Sequence, residues 1–227
     1  MRDLPARHDA APADRRAILP GSRQVTMFSV VQKQYLSGTV SVVPGKYWEA
    51  LMDVAVDNGG YVTPALVAPL GVPAIELRKM VSRATLVSAG HGVYRVPSLP
   101  YDRFDEFILG RLWAAGRGVI SYDSGLVAHE LCDINPTMVH LTIPTHYRIS
   151  RAGRDRYVIH YADLAADEIT KLDAVTVTTI RRTLHDTLHT VPAYLARQAI
   201  STARRRGAIT SSEHDALVEQ LVGGAVS

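Results

Sequence analysis

Cysteine is nearly absent from this 227-residue chain: Cys132 stands alone, so no intramolecular disulfide can form. Long apolar runs are missing too. Nothing approaches the roughly 20 consecutive apolar residues that span a bilayer. The first residues, MRDLPARHDAAPADRRAILPGSR, carry charges throughout where a secretory leader needs an apolar region. These absences predict a soluble, cytoplasmic protein with no membrane partner. The usual catalytic signatures are lacking as well: there is no G-x-x-x-x-G-K-[ST], no G-x-G-x-x-G after a strand and no G-x-S-x-G. His129, Cys132, Asp133, His140 and His146 lie close in sequence, but a zinc site prefers paired spacings, and only His129 and Cys132 are plausibly spaced. Asp155, Asp163, Asp167 and Glu168 raise a metal-dependent nuclease, yet they fall mostly where loops are expected and lack a D…E-x-K spacing. The expectation is no enzyme activity, no cofactor and no metal.

What is present is an ordinary apolar content of 47%, enough for a sizeable core, and a net charge of +3. The charge is unevenly spread. Residues 1–43 hold six basic and three acidic residues, residues 44–100 five and four, and residues 101–227 fourteen and fifteen. Residues 1 to about 24 are rich in Ala, Arg, Pro and Asp with no apolar period, and read as a disordered tail. Met27 offers an alternative start, and FSVVQKQYL reads as a short helix or strand.

The chain is organised around Val62–Val96. Thr63 before Pro64 is a helix cap followed by a first-turn proline. Pro69 restricts that helix to a single turn or a kink. Gly71 supplies a turn, and Pro73 opens a second helix in which Leu77, Met80, Val81 and Ala84 form one apolar stripe. Ile75, Lys79 and Ser82 fall on the opposite face, flanked by Arg78 and Arg83. LVSAG and GVYRV then make a hairpin through Gly90-His91-Gly92. Helix, turn, basic helix and hairpin is the order of a winged helix-turn-helix. From Ile75 to Val96 the basic residues are Arg78, Lys79, Arg83 and Arg95, against the single acid Glu76. An ordinary solvated face mixes the signs more evenly. An amphipathic helix with Trp48, Leu51, Met52 and Ala55 inward completes a three-helix unit over residues 44–100.

Pro97 to Pro100 reads as a linker to a second domain, residues 101–227. Helices are expected over Phe104–Leu112, Tyr122–His129, Ile180–Leu188, Pro192–Arg206 and Ser211–Leu221. Strands are expected in MVHLTIP, RYVIHYADL and on both sides of Leu172-Asp173-Ala174. The fold class is α+β: an N-terminal winged helix-turn-helix domain followed by a mixed α/β domain. Two arginine groups stand out in the second half, Arg148, Arg151, Arg154 and Arg156 between strands, and Arg204, Arg205 and Arg206 at a helix end, where cations suit the dipole.

GGYVTPALVAPLGVPAIELRKMVSRATLVSAGHGVYRVPSLP resembles the winged-helix domain of AbiEi-type antitoxins from type IV toxin–antitoxin systems. ISYDSGLVAHELCDINPTMVHLTIP is similar to the start of that family's C-terminal domain, and VTVTTIRRTLHDTL to a later segment where a Thr-Thr pair precedes a helix. The resemblance covers roughly residues 47–220. It implies a protein that binds inverted repeats in its own promoter, as a homodimer on that DNA, and that neutralises a nucleotidyltransferase-like toxin, by direct contact or otherwise. On this view Thr63, Ile75, Arg78, Lys79, Ser82, Arg83, His91 and Arg95 face DNA. The two arginine groups face the toxin. The alternative is an interaction module that sequesters a partner without touching DNA; a nuclease comes third.

Overall fold

The computed structural model describes residues 45–150 and 153–223. The tail, the alternative start and the FSVVQKQYL segment lie outside these residues, as does Arg151. Within them the chain is a mixed α+β protein with two sheets.

The first part runs helix α1 (Trp48–Asp57), strand β1 (Tyr61–Val62), helix α2 (Pro64–Val67), a 3-10 turn (Ala68–Leu70), helix α3 (Ala74–Ser82), and strands β2 (Val87–Gly90) and β3 (Val93–Arg95). Thr63 caps α2, its Oγ1 accepting from the Leu66 amide at 3.3 Å. Pro69 cannot donate back to Ala65, so α2 stops after one turn and tightens into the 3-10 turn. Gly71 then takes a φ of +71°, which reverses the chain toward α3. Helix α3 ends sooner than the apolar stripe suggests. Leu77 and Met80 are buried, but Ala84 lies past the helix at φ +56° and is exposed. β3 pairs antiparallel with both β1 and β2. The short strand β1 escapes a periodicity reading because two residues hold no period. Leu51, Ala55, Val62, Val67, Val72, Leu77, Leu86 and Val96 form the small core beneath.

The second part is a five-stranded sheet in the order β6-β5-β4-β8-β7, where β4 is Val119–Ile120, β5 Val139–Ile143, β6 Tyr157–Tyr161, β7 Ile169–Leu172 and β8 Val175–Thr178. Alternation along the strands assigns the two faces. Val139, Leu141, Ile143, Val175 and Val177 pack with Phe107, Ile108, Leu112 and Trp113 of helix α4 (Asp105–Trp113). His140, Thr142 and Thr178 meet the other layer, helix α5 (Tyr122–Ala128) and helix α6 (Ile180–Thr187). There Thr142 Oγ1 donates to Ser121 Oγ at 2.8 Å, and the Thr178 and Thr183 hydroxyls pair at 2.7 Å. Helix α7 (Ala193–Arg205) and helix α8 (Ser211–Gly223) pack behind α5 and α6 through Leu126, Leu184, Leu195, Ile200 and Leu221. Thr210 and Glu213 cap α8 reciprocally, Glu213 accepting from the Thr210 amide and Thr210 Oγ1 from the Glu213 amide.

The Pro97–Pro100 stretch joins the two parts tightly. Tyr61 and Val93 belong to the same core as Phe104, Phe107 and Ile108. The Tyr61 hydroxyl donates to Asp105 at 2.9 Å. Leu99 is buried against the small core.

Candidate nucleic-acid interface

Helix α3 anchors itself by Leu77 and Met80, and this turns the opposite face outward. Ile75 is 51% exposed, and Arg78, Lys79, Ser82 and Arg83 are exposed beside it. Glu76 is the only acid on the helix, and it engages Lys79, whose Nζ donates to Oε1 at 2.7 Å. That pair is exposed, so its worth is at most about 1 kcal/mol and the lysine can exchange it for another anion. Ser82 Oγ donates to the Lys79 carbonyl at 2.8 Å in the last helical turn, which leaves its lone pairs free. Arg78 and Arg83 make no side-chain hydrogen bond or ion pair with another described residue. Three of the five polar or charged side chains on this face, Arg78, Lys79 and Arg83, can therefore present donors to an anion.

The structure brings Thr63, Arg78 and His91 to one cleft, together with Arg111 of α4. His91 is exposed in the β2–β3 turn, where Gly92 at φ +69° closes the chain reversal.

Arg95 is placed otherwise than expected. It is 2% exposed. Its guanidinium donates to the carbonyls of Val96 (3.2 Å), Leu99 (2.8 Å) and Pro100 (2.9 Å), and its Nε lies 3.9 Å from Asp105. The Tyr101 ring sits 3.6 Å from its Cζ. Arg95 clamps the connection between the two parts and cannot reach DNA. The signal was in the strand: Arg95 is two residues from buried Val93, so alternation places it inward. Beside it, burial and the Asp105 hydrogen bond push the Tyr61 hydroxyl up to about 12.

The two arginine groups of the second half differ. Arg154 and Arg156 are exposed in a 3-10 turn before β6. Arg148 donates to the Thr145 carbonyl at 2.6 Å and lies over the Tyr161 ring at 4.6 Å. Arg204, Arg205 and Arg206 are each engaged within the chain. Arg204 bonds Ser211, Arg205 donates to Thr202 at 3.1 Å, and Arg206 straps α7 to the end of α5 through the His129 and Glu130 carbonyls at 2.6 and 2.8 Å. Arg204 and Arg205 lie in the last turn of α7, where the sequence expects cations to suit the dipole, while Arg206 meets carbonyls at the end of a neighbouring helix instead.

The His, Cys and Asp residues close in sequence are scattered in space. His129 is buried with Nε2 2.7 Å from the Thr178 carbonyl. Cys132 is half-buried, its thiol pushed up to about 11 mainly by burial. His146 is exposed beside Asp163. His140 instead meets His160, which the sequence left unremarked. His140 Nδ1 is 3.3 Å from His160 Nε2, and the Tyr122 ring stacks on His160 at 3.6 Å. Arg111 is a further residue of the cleft that Thr63, Arg78 and His91 line, and its signal in the sequence is a lone arginine in the last turn of an apolar helix.

No family model matches this chain, and no curated protein matches it.

Proposed function

We propose that this chain is a DNA-binding repressor and antitoxin of the AbiEi kind, in which residues 44–100 act as a winged helix-turn-helix and residues 101–227 handle the toxin. One observation carries the DNA half: the outward face of α3 presents Arg78, Lys79 and Arg83 with Glu76 as the only acid, on a helix anchored by its opposite face. Such a helix enters a major groove with Lys79 and Ser82 toward base edges or phosphates, and Arg78 and Arg83 toward flanking phosphates. Thr63 and His91 stand at the backbone and the neighbouring groove. Repression follows from occupying the chain's own promoter, and inverted repeats there would seat two copies. The toxin half is supported by the resemblance of residues 47–220 to AbiEi-type antitoxins and by exposed Arg154 and Arg156, which suit a facing anionic surface. Exposed Leu70 and Ile75 beside the helix turn favour the second reading, a module that sequesters a protein partner.

The test is binding to the DNA upstream of the chain's own gene across a salt series. Lys79→Ala with Arg83→Ala should flatten the slope of log affinity against log salt by about 0.9 for each lost phosphate contact. Unchanged slope and affinity in a folded variant would remove α3 from the interface and leave the sequestering module.

A further inference from the structure

The flank of α3 that carries Arg78 borders a cleft of about 740 Å3 between the start of α2, the β2–β3 turn and the end of α4. That volume falls within the ~300–1,000 Å3 of small-molecule sites and far exceeds what one phosphate ion fills. The lining has one sign of charge. Arg78 and Arg111 supply guanidinium groups, His91 an imidazole, and Thr63 and Tyr94 hydroxyls, while no carboxylate lines it among the described residues. Arg78 has no polar side-chain partner among those residues. Arg111 has one, donating from Nη1 to the Ala174 carbonyl at 3.1 Å, so most of its five N–H donors are unused. It is also partly buried, and that burial lowers its pKa with no counter-charge to restore it. An arginine drawn out of water gains most from an anionic partner, which offsets the lost hydration. Here no acid complements it among the described residues, and a guanidinium fork fits a phosphate in two-point geometry. Tyr94 and Leu112 add an aromatic and an apolar wall suited to a ring.

We propose that this cleft binds a free nucleotide, with Arg78 and Arg111 on its phosphate and Tyr94 and Leu112 against its base. The proposal does not depend on DNA binding, since its ligand is a small molecule titrated alone.

Isothermal titration of the full chain with AMP, ATP and inorganic phosphate tests it. Saturable binding of at least one nucleotide, tighter than inorganic phosphate, is expected. Arg78→Gln and Arg111→Gln should each weaken it about tenfold or more, the loss expected for a hydrogen bond to a charged group. Arg78→Gln removes no hydrogen bond or ion pair among the described residues, so its melting temperature is expected to hold while binding weakens. Arg111→Gln is accepted only if its melting temperature holds. A phosphate of the DNA backbone is the other source of the same chemistry. If Arg111→Gln weakens duplex binding while neither nucleotide binds, the cleft belongs to a DNA footprint and the proposal fails. Nucleotide binding indifferent to both substitutions would put the ligand elsewhere and overturn it equally.

Discussion

At position 95 an arginine sits where strand alternation places a core side chain, and the fold has built acceptors around it. Three main-chain carbonyls and Asp105 surround one guanidinium. A lysine keeps the charge but not the planar fork, so at least one carbonyl loses its donor in a buried place. Arg95→Lys should therefore lower stability by about 1–3 kcal/mol in urea unfolding, the cost of an unsatisfied buried polar group. An unchanged midpoint would mean that the clamp is idle. His160 makes a second prediction, on pH. Burial, with His140 beside it, holds its imidazole down at about 4, and His129 and His140 are lowered in the same direction by burial. The folded state keeps this ring neutral, while the unfolded chain takes up a proton below its ordinary value near 6.5. The contribution is present above that value and is lost as pH falls toward 4. The urea midpoint should drop between pH 7 and pH 5, and His160→Gln should flatten the drop. A midpoint level over that range in the parent chain would contradict the burial argument.

Helices α5 and α6 meet at a point where only a hydrogen fits. A Cβ built on Gly125 would lie 2.9 Å from both Cγ2 and Oγ1 of Thr183. In an exposed helix, glycine to alanine is worth about 1 kcal/mol of added stability. Here the sign reverses. Thr183 is buried and held by the Thr178 hydroxyl, so it cannot swing aside. Gly125→Ala should destabilise by about 1–3 kcal/mol, the range for overpacking a filled core. A gain in melting temperature would show that the two helices slide apart freely. The Thr-Thr pair before α6 has its account in the same place. Thr179 caps the helix by accepting from the Arg182 amide at 3.4 Å, and Thr178 ties its hydroxyl beneath. Helix α3 is the contrasting element. It stops at Ser82 because Arg83 and Ala84 leave helical geometry, and the shortening leaves its exposed basic face intact.

Across the whole molecule, the two parts named by sequence are continuous in their packing. Tyr61 and Val93 of the first sheet are buried with Phe104, Phe107 and Ile108 of the second part. Arg95 then fixes the connecting segment. Severing them would expose that shared apolar surface, at about 25 cal/mol for each Å2 uncovered. The described body should therefore unfold in one transition. The chain's two tryptophans make the measurement direct, since Trp48 packs against the small core and Trp113 lies in the larger one. Trp48→Phe and Trp113→Phe leave one reporter each, and their urea midpoints should agree once each is referenced to its own stability by circular dichroism. Separate midpoints within one variant, by fluorescence and by circular dichroism, would mean that the parts fold independently. For the same reason the proposed division of labour is best tested by substitutions in the full chain. Arg154→Glu with Arg156→Glu should abolish rescue from the cognate toxin and spare promoter binding.

Much of this protein is set by short-range pattern. The single-turn α2 follows from Thr63, Pro64 and Pro69, the outward face of α3 from Leu77 and Met80, and the sheet strands from alternation around β5 and β8. Each depends on residues within a few positions of one another, where spacing alone determines which side chains share a face. Tertiary structure decided the rest. It gave the two-residue strands β1 and β4, too short to carry a period, their partner strands, and it supplied Asp105 and the Leu99 and Pro100 carbonyls around the inward Arg95. It drew Arg206 onto carbonyls 76 and 77 residues away in sequence, and brought Arg111 and Arg78 to one cleft that no carboxylate lines among the described residues. Those outcomes join segments far apart in the chain, and a buried guanidinium takes whichever acceptors the assembled core leaves near it.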